Sequence, residues 1–324
     1  MIRTPVCDLL GIEHPIALGG MGSVFSPQLV AAVSNAGGLG ALGCHYVGPD
    51  QIREGAALIR DKTNKPFGLN FLLFDLREDS FAAALALRPP VIALAWPRPE
   101  LDLKPIIARV HDAGAKVTFM AGGAPEARRA AEAGADVIVA QGTEGGGHVS
   151  WMASLPLIPM VVDAVAPRPV LAAGGIADGR GLVAALALGA EGVLLGTRFL
   201  ASTEASLHAK FKQAIVESDG HDTALSEIPD LAAGIVWPGA MSRSRRNRFI
   251  ERWAGREWLL RQDQAAAKAQ VAEARKTGDI NEAPLSMGQD SGLIHDILPA
   301  AEIVARIARE ANEILSARLP RFLR

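Results

Sequence analysis

Cysteine is nearly absent from this chain: Cys7 and Cys44 are the only two among 324 residues. Two cysteines supply neither a disulfide framework nor a zinc cluster, so both read as small buried apolar side chains. Aromatic residues make up 5%, with a single tyrosine, Tyr46. Neither sign of charge is in excess. The 33 Lys and Arg against 35 Asp and Glu leave a net charge of −2, so no global field steers the chain onto nucleic acid or an anionic membrane. The uncharged stretch Gly145 to Val162 is broken by a glycine triplet, His148, two serines and two prolines, which disqualifies it as a membrane span. The opening MIRTPVCDLLGIEHP has neither the apolar region nor the small-residue cleavage site of a signal peptide, and the expected location is cytoplasmic.

What is present is apolar and rich in turns. Hydrophobic residues are 49% and charged ones 21%, with 33 Gly and 20 Pro, which makes a globular α/β chain the natural reading. The length allows one large domain with an insertion, or two ordinary domains. From Pro15 to Thr197 one theme repeats, a short apolar run followed by a turn and an Ala-rich helical stretch. The runs are PIALGG, GLGALG, PFGLNF, VIALAW, KVTFMA, DVIVAQ, PVLAAG and GVLLGT. Continuous apolar strands alternating with helices imply a parallel sheet covered on its outer side. Eight units fit a closed (β/α)8 TIM barrel, and a doubly wound open sheet is the alternative, since strand order cannot be read from one sequence.

Residues 206–283 carry helical patterns and no strand-like run, which reads as a small helical insertion over the barrel mouth. The expected division is therefore a barrel of residues 1–205, completed by the C-terminal segment 284–324, with 206–283 inserted. In the last segment Ile303, Ile307, Ala311, Ile314 and Leu315 share one helical stripe, as expected of a helix packing back on the barrel.

Barrel enzymes place their working groups at the C-terminal strand ends. The seventh and eighth runs end in Gly174 and Gly175 and in Gly196 and Thr197. Such glycines let main-chain N–H groups approach phosphate oxygens, and the helix starting near Gly179 would add partial positive charge. The plainer alternative is a pair of tight turns with no ligand. After the sixth run come Gln141 and GTEGGGH, ending in His148, with Trp151 beyond. A glycine run before a lone histidine suits a close ligand contact, and the imidazole could accept a proton or hydrogen-bond an anion. The other histidines (His14, His45, His111, His208, His221 and His295) show no metal-ligand spacing, and no metal is assigned. GLGALG at 38–43 matches a dinucleotide fingerprint in letters only, because a helical stretch precedes it and the motif itself reads as a strand. The run MSRSRRNRFIERWAGR, with Arg243, Arg245, Arg246, Arg248, Arg252 and Arg256, reads as a helix face making ion pairs rather than an anion-binding patch.

PIALGGMGSV, AGGLGALG, PFGLN, AQGTEGGGH, LAAGGIADGRG and LLGTRF resemble, in order and spacing, the nitronate monooxygenase family, from about residue 10 to residue 200. FMN-dependent enoyl-acyl carrier protein reductases of the same fold share a comparable glycine-glycine-histidine segment. The resemblance implies FMN at the strand ends, with Gly20, Met21 and Gly22 along the isoalloxazine and Asn70 and Gln141 hydrogen-bonding it. Gly146, Gly147 and Gly174 would be close contacts, and Gly175, Leu195, Gly196 and Thr197 would take the phosphate. His148 would face the substrate. The single tyrosine departs from family members that ring the substrate with tyrosines, so Met120, Trp151, Trp237 or Phe25 are expected to line the pocket.

The activity so implied is FMN-dependent oxidation of an alkyl nitronate or nitroalkane by molecular oxygen, giving a carbonyl compound and nitrite. The alternative is an FMN-dependent NAD(P)H reductase of an enoyl thioester or quinone, and a third reading is a non-catalytic barrel that binds a phosphate ligand. A small molecule, not nucleic acid or membrane, is the expected partner. A homodimer through the insertion is left open.

Overall fold

Apolar runs buried on both faces pair in parallel, because each crossover helix covers the face it passes over. The computed structural model, which describes residues 2–22 and 24–323, follows that rule. Its strands, in chain order, are β1 (Ile16–Leu18), β2 (Gly40–Gly43), β3 (Phe67–Leu72), β4 (Val91–Ala95), β5 (Lys116–Ala121), β6 (Val137–Gln141), β7 (Gly147–Val149), β8 (Val170–Ala173), β9 (Gly192–Leu195), β10 (Thr223–Ser226) and β11 (Met241–Arg245). All except β7, β10 and β11 form one parallel sheet, ordered β1-β9-β8-β6-β5-β4-β3-β2. Its two ends meet at a parallel bridge between Ala17 and Leu39. There Leu18 N–H donates to the Leu39 carbonyl at 2.8 Å and Leu39 N–H to the Ile16 carbonyl at 3.0 Å. The sheet is thus the TIM barrel of the first reading, and the open-sheet alternative falls.

The barrel is filled from below. Val6, Cys7 and Leu10 of helix Pro5–Leu10 pack with Val91, Val137, Val139 and Leu171, all at most 4% exposed. A plugged N-terminal end leaves the opposite mouth as the place for a cavity. Cys7 and Cys44 are free thiols, both buried, as expected. Among the described residues no helix is long and apolar enough to cross a membrane.

Three expectations are corrected here. Residues 206–283 are not wholly helical, because β10 and β11 lie within them and form an antiparallel sheet with β7 in the order β10-β11-β7. The strand MSRSR has no apolar run to betray it. Its Ser242, Arg243 and Ser244 are buried, and Arg243 satisfies its guanidinium on the Thr143 carbonyl (2.9 Å) and Thr223 Oγ1 (3.2 Å). The arginine run is accordingly half strand and half helix. Arg245 pairs with Asp222, and Arg248 and Arg252, on helix Arg248–Trp253, both pair with Glu282. In the C-terminal helix Ala300–Glu313, Ile303, Ile307 and Ala311 are buried together with Val304. Leu315, however, is 38% exposed, because the chain leaves α-helical geometry after Glu313 and the stripe loses its period.

Close approach between β2 and the helix before it dictates a glycine at position 40. A Cβ there would stand 2.2 Å from the Val30 carbonyl oxygen. Gly40→Ala must push helix Pro27–Asn35 off the sheet, and is expected to lower the unfolding free energy by about 1–3 kcal/mol in urea denaturation. An unchanged midpoint would contradict this packing.

Candidate active site

A cavity of about 420 Å³ opens at the C-terminal ends of the barrel strands, a size ordinary for a small-molecule site. Ten of the residues expected there line it: Gly20, Met21, Gly22, Asn70, Gln141, Gly146, Gly147, His148, Gly196 and Thr197. The loop after β1 lies so close to its neighbours that side chains are excluded. A Cβ at Gly20 would stand 2.3 Å from the Asn70 Cβ, and one at Gly22 would overlap His45. Asn70 is held in turn by the hydrogen bond from its Nδ2 to the Ala93 carbonyl, 3.3 Å. At Gly196 the situation reverses. A Cβ there meets nothing within 4 Å, so the space before that backbone is open toward the cavity.

Gly174, Gly175 and Leu195 sit behind the cavity wall. Leu195 is 1% exposed. A Cβ on Gly174 would strike the Gly142 carbonyl oxygen at 2.6 Å, and Gly175 lies under Glu144, whose carboxylate accepts from Ser154 N–H and Oγ–H at 3.0 Å. The helix Gly179–Ala187 does not present its N-terminus to a ligand either. Its first amides are taken within the protein, Gly179 N–H by Glu310 at 3.1 Å and Arg180 N–H by Asp178 at 2.9 Å. Of the two walls expected for a phosphate, only that of Gly196 and Thr197 faces the cavity.

Thr197 is itself braced from behind. Its Oγ1 accepts from Gly288 N–H at 2.9 Å and hydrogen-bonds the carboxyl of Asp290. Burial pushes the Asp290 carboxyl up to about 7, against the opposing pull of Thr197 and the Arg198 charge.

His148 belongs to β7, where it pairs with Ser242 of β11. Its Nε2 lies 2.8 Å from Asp230 Oδ1, and its ring stacks on Trp237 with centroids 3.3 Å apart and planes at 9°. Trp237 also meets Phe74 at 4.7 Å and Trp96 at 5.8 Å, so an aromatic cluster roofs the cavity. Tyr46 and Trp96, at the ends of β2 and β4, have φ of 64° and 55°. Side chains seldom tolerate that region, and such strain gathers at functional sites. Burial, reinforced by His148, pushes His45 down to about 4, so it stays neutral. Burial and the nearby Asp75 and Asp230 push Tyr46 up to about 12, so its hydroxyl keeps its proton.

Of the four side chains expected to replace the missing tyrosines, Met120 and Trp237 line the cavity. Trp151 is 68% exposed and points elsewhere. Phe25 packs behind β2 against Gly55. The residues missed were His45, Tyr46, Trp96, Asp230, Arg275 and Asp290, and Tyr46, which was set aside in favour of other side chains, itself lines the cavity. Trp96 ends the run VIALAW and His45 lies two residues beyond GLGALG, positions that could have revealed them. Asp230 and Arg275 come from the insertion and carried no such signal.

The Asp290 shift has a consequence for stability. A carboxyl raised in the folded protein contributes stability in full below its free value near 4, and that contribution is lost as pH rises through about 7. Wild type should therefore weaken relative to Asp290→Asn between pH 4 and 8, by at most about 4 kcal/mol. Thermal unfolding of both proteins across that range checks the sign, and parallel curves would contradict the buried carboxyl.

Comparison with known proteins shows the family of the chain. The model of a family described as nitronate monooxygenase matches residues 3–88 and 84–310. An octahydroindene-carboxyl-CoA dehydrogenase from Mycobacterium tuberculosis is 34% identical, over 96% of each chain. The structure of FabK from Thermotoga maritima superposes with a TM-score of 0.89 at 35% identity, covering 99% of this chain and 100% of that one. A nitroalkane oxidase from Streptomyces ansochromogenes gives a TM-score of 0.81 at 29% identity, over 96% and 99%. With nearly the whole chain matched and an oxidoreductase assignment following from that match, this protein belongs to the nitronate monooxygenase family.

Proposed function

We propose that the protein is an FMN-dependent oxidoreductase that oxidises alkyl nitronates with molecular oxygen to a carbonyl compound and nitrite. The observation that carries the reading is a histidine, His148, that lines a strand-end cavity together with the backbone of Gly20, Gly22, Gly146 and Gly196. Such a surface suits a flat ring system: Gly20, Met21 and Gly22 would lie along it, and Asn70 and Gln141 would hydrogen-bond its edge. The open space before Gly196 would take the phosphate, with Thr197 braced by Gly288 beside it. FMN bound there supplies the redox chemistry.

The chain's own groups then act on the substrate. His148 takes the acidic α-proton of a neutral nitroalkane and, once protonated, hydrogen-bonds the nitro oxygens of the nitronate so formed. Tyr46, which keeps its proton, can donate to the same anion. Trp96 and Trp237 cover the cavity and exclude water, which strengthens every charged contact inside it.

A second reading, reduction of an enoyl thioester or quinone by NAD(P)H, is favoured by the likeness to FabK and to the CoA-ester dehydrogenase. It is also favoured by Arg275. This arginine lines the cavity with no carboxylate paired to it among the described residues. An unpaired cation at the edge of a cavity suits a phosphate-bearing ligand.

The two readings separate in one experiment. The purified protein should be yellow, and without oxygen its colour should bleach on adding an alkyl nitronate and persist with NADH. Fast bleaching by NADH alone would favour the reductase. His148→Asn is expected to keep the bound flavin and to lose about 10²–10⁴-fold in turnover of a neutral nitroalkane. Unchanged turnover would remove His148 from the chemistry.

A further inference from the structure

We propose that Asp230 is a positioning residue for His148, holding its imidazole in the tautomer that leaves Nδ1 to take the substrate's proton. The inference rests on the reading of His148 as the proton acceptor. It starts from geometry: Asp230 Oδ1 lies 2.8 Å from His148 Nε2, and an ionised carboxylate can only accept. Nε2 must therefore carry the hydrogen, and the lone pair of the neutral ring falls on Nδ1, which has no hydrogen-bond partner among the described residues. The Trp237 ring, 3.3 Å away and nearly parallel, fixes the plane of the imidazole.

Asp230 is 8% exposed, and His148 is its ion-pair partner among the described residues. Its helix, Ile228–Ala233, is seated on a small core of the insertion's own, formed by Ile228, Ala232, Phe249, Ile250, Leu260 and Ala267. A plain staple between insertion and barrel would be the simpler role. That role is already filled by the backbone pairing of β7 with β11 at His148 itself, whereas both members of the Asp230–His148 pair line the cavity. The other ionisable groups around the pair are His45, Tyr46 and Asp75, with Arg275 on the same cavity wall. His45 stays neutral, so the Asp230 carboxylate is the near charge able to support an imidazolium.

The step it serves is one proton transfer. The α-carbon–hydrogen bond of a neutral nitroalkane breaks, its electron pair delocalises onto the nitro oxygens, and the proton forms a bond to Nδ1. The product is a nitronate beside an imidazolium whose Nε2–H donates to Asp230. A preformed nitronate does not need this step, and the contrast makes the test.

Asp230→Asn is expected to lower kcat on a neutral nitroalkane about 10²-fold or more, with less than about a tenfold loss on the matching nitronate and bound flavin unchanged. Asp230→Glu should restore part of the nitroalkane rate. Equal losses on both substrates, with a lowered Tm, would overturn the proposal in favour of a structural staple, and no loss on either would remove any role. His148→Asn, measured on the same pair, keeps the premises apart. If it leaves the nitroalkane-to-nitronate ratio unchanged, the reading of His148 fails; if it shifts the ratio while Asp230→Asn does not, the Asp230 proposal alone fails. A readout independent of turnover is the nitrogen NMR spectrum of the imidazole, assigned by its loss in His148→Asn. It should show Nε2–H in the wild type and a changed tautomer ratio in Asp230→Asn, and an Nδ1–H wild type would overturn the proposal whatever the substrate.

Discussion

Three residues of backbone, Gly147 to Val149, pair with Met241 to Arg243, and the arrangement of the cavity depends on that short ladder. It draws a loop of the barrel and a strand of the insertion into one sheet, with His148 in the middle. A slip by one residue along such a ladder turns every side chain to the opposite face, so the burial of Ser242, Arg243 and Ser244 fixes its register. A slip here would turn His148 out of the cavity. The buried guanidinium of Arg243 reinforces the ladder by gripping both the Thr143 carbonyl and Thr223 Oγ1. One of six arginines read as an ion-pairing helix face is thus an internal tie.

Around this ladder the barrel supplies rigidity from the other side. The plug of Val6, Cys7 and Leu10 closes its lower end. The approach of Gly20 to Asn70 and of Gly22 to His45 brings the upper loops to within contact of each other. Positions so closely packed have few alternative conformations, as a site that must hold a flat ligand and a base in fixed relation requires. The positive φ angles of Tyr46 and Trp96 show where the same compactness strains the chain. Both residues turn sharply at strand ends, and both side chains reach the cavity.

How much of this could be read beforehand follows from what each element buries. All eight barrel strands were legible because each is a continuous apolar run, and continuous burial leaves a continuous signal. The strand MSRSR buries serine and arginine through hydrogen bonds instead, and hydrophobic periodicity is blind to it. Strand-end position pointed to Gln141 and His148, and the family resemblance to Gly20 and Asn70, all of which line the cavity. Strand-end position could not tell Gly196, which opens to the cavity, from Gly175, which is half-buried beside Glu144 and outside the cavity lining, since both are simply glycines after a strand. Nor could it find Asp230, whose contact with His148 joins positions 82 residues apart. Trp151 and Trp237 were equal candidates in sequence, and only the path of the chain after β7 separates the exposed one from the stacked one.

The helices that roof the cavity rest on a hydrophobic cluster of their own, from Ile228 to Ala267, distinct from the cores that hold the barrel together. A further cluster, in which Leu200 and Ala201 pack with Phe211, Ile215 and Ala274, ties the insertion to the barrel away from this roof. Substitutions along the underside of the roof, at Pro229, Ala233 or Ile235, can reshape the space above the ring-binding surface without disturbing the strands beneath. A fold divided in this way can keep one redox centre while exchanging the molecules presented to it, so the roof is where divergence in substrate should first be sought.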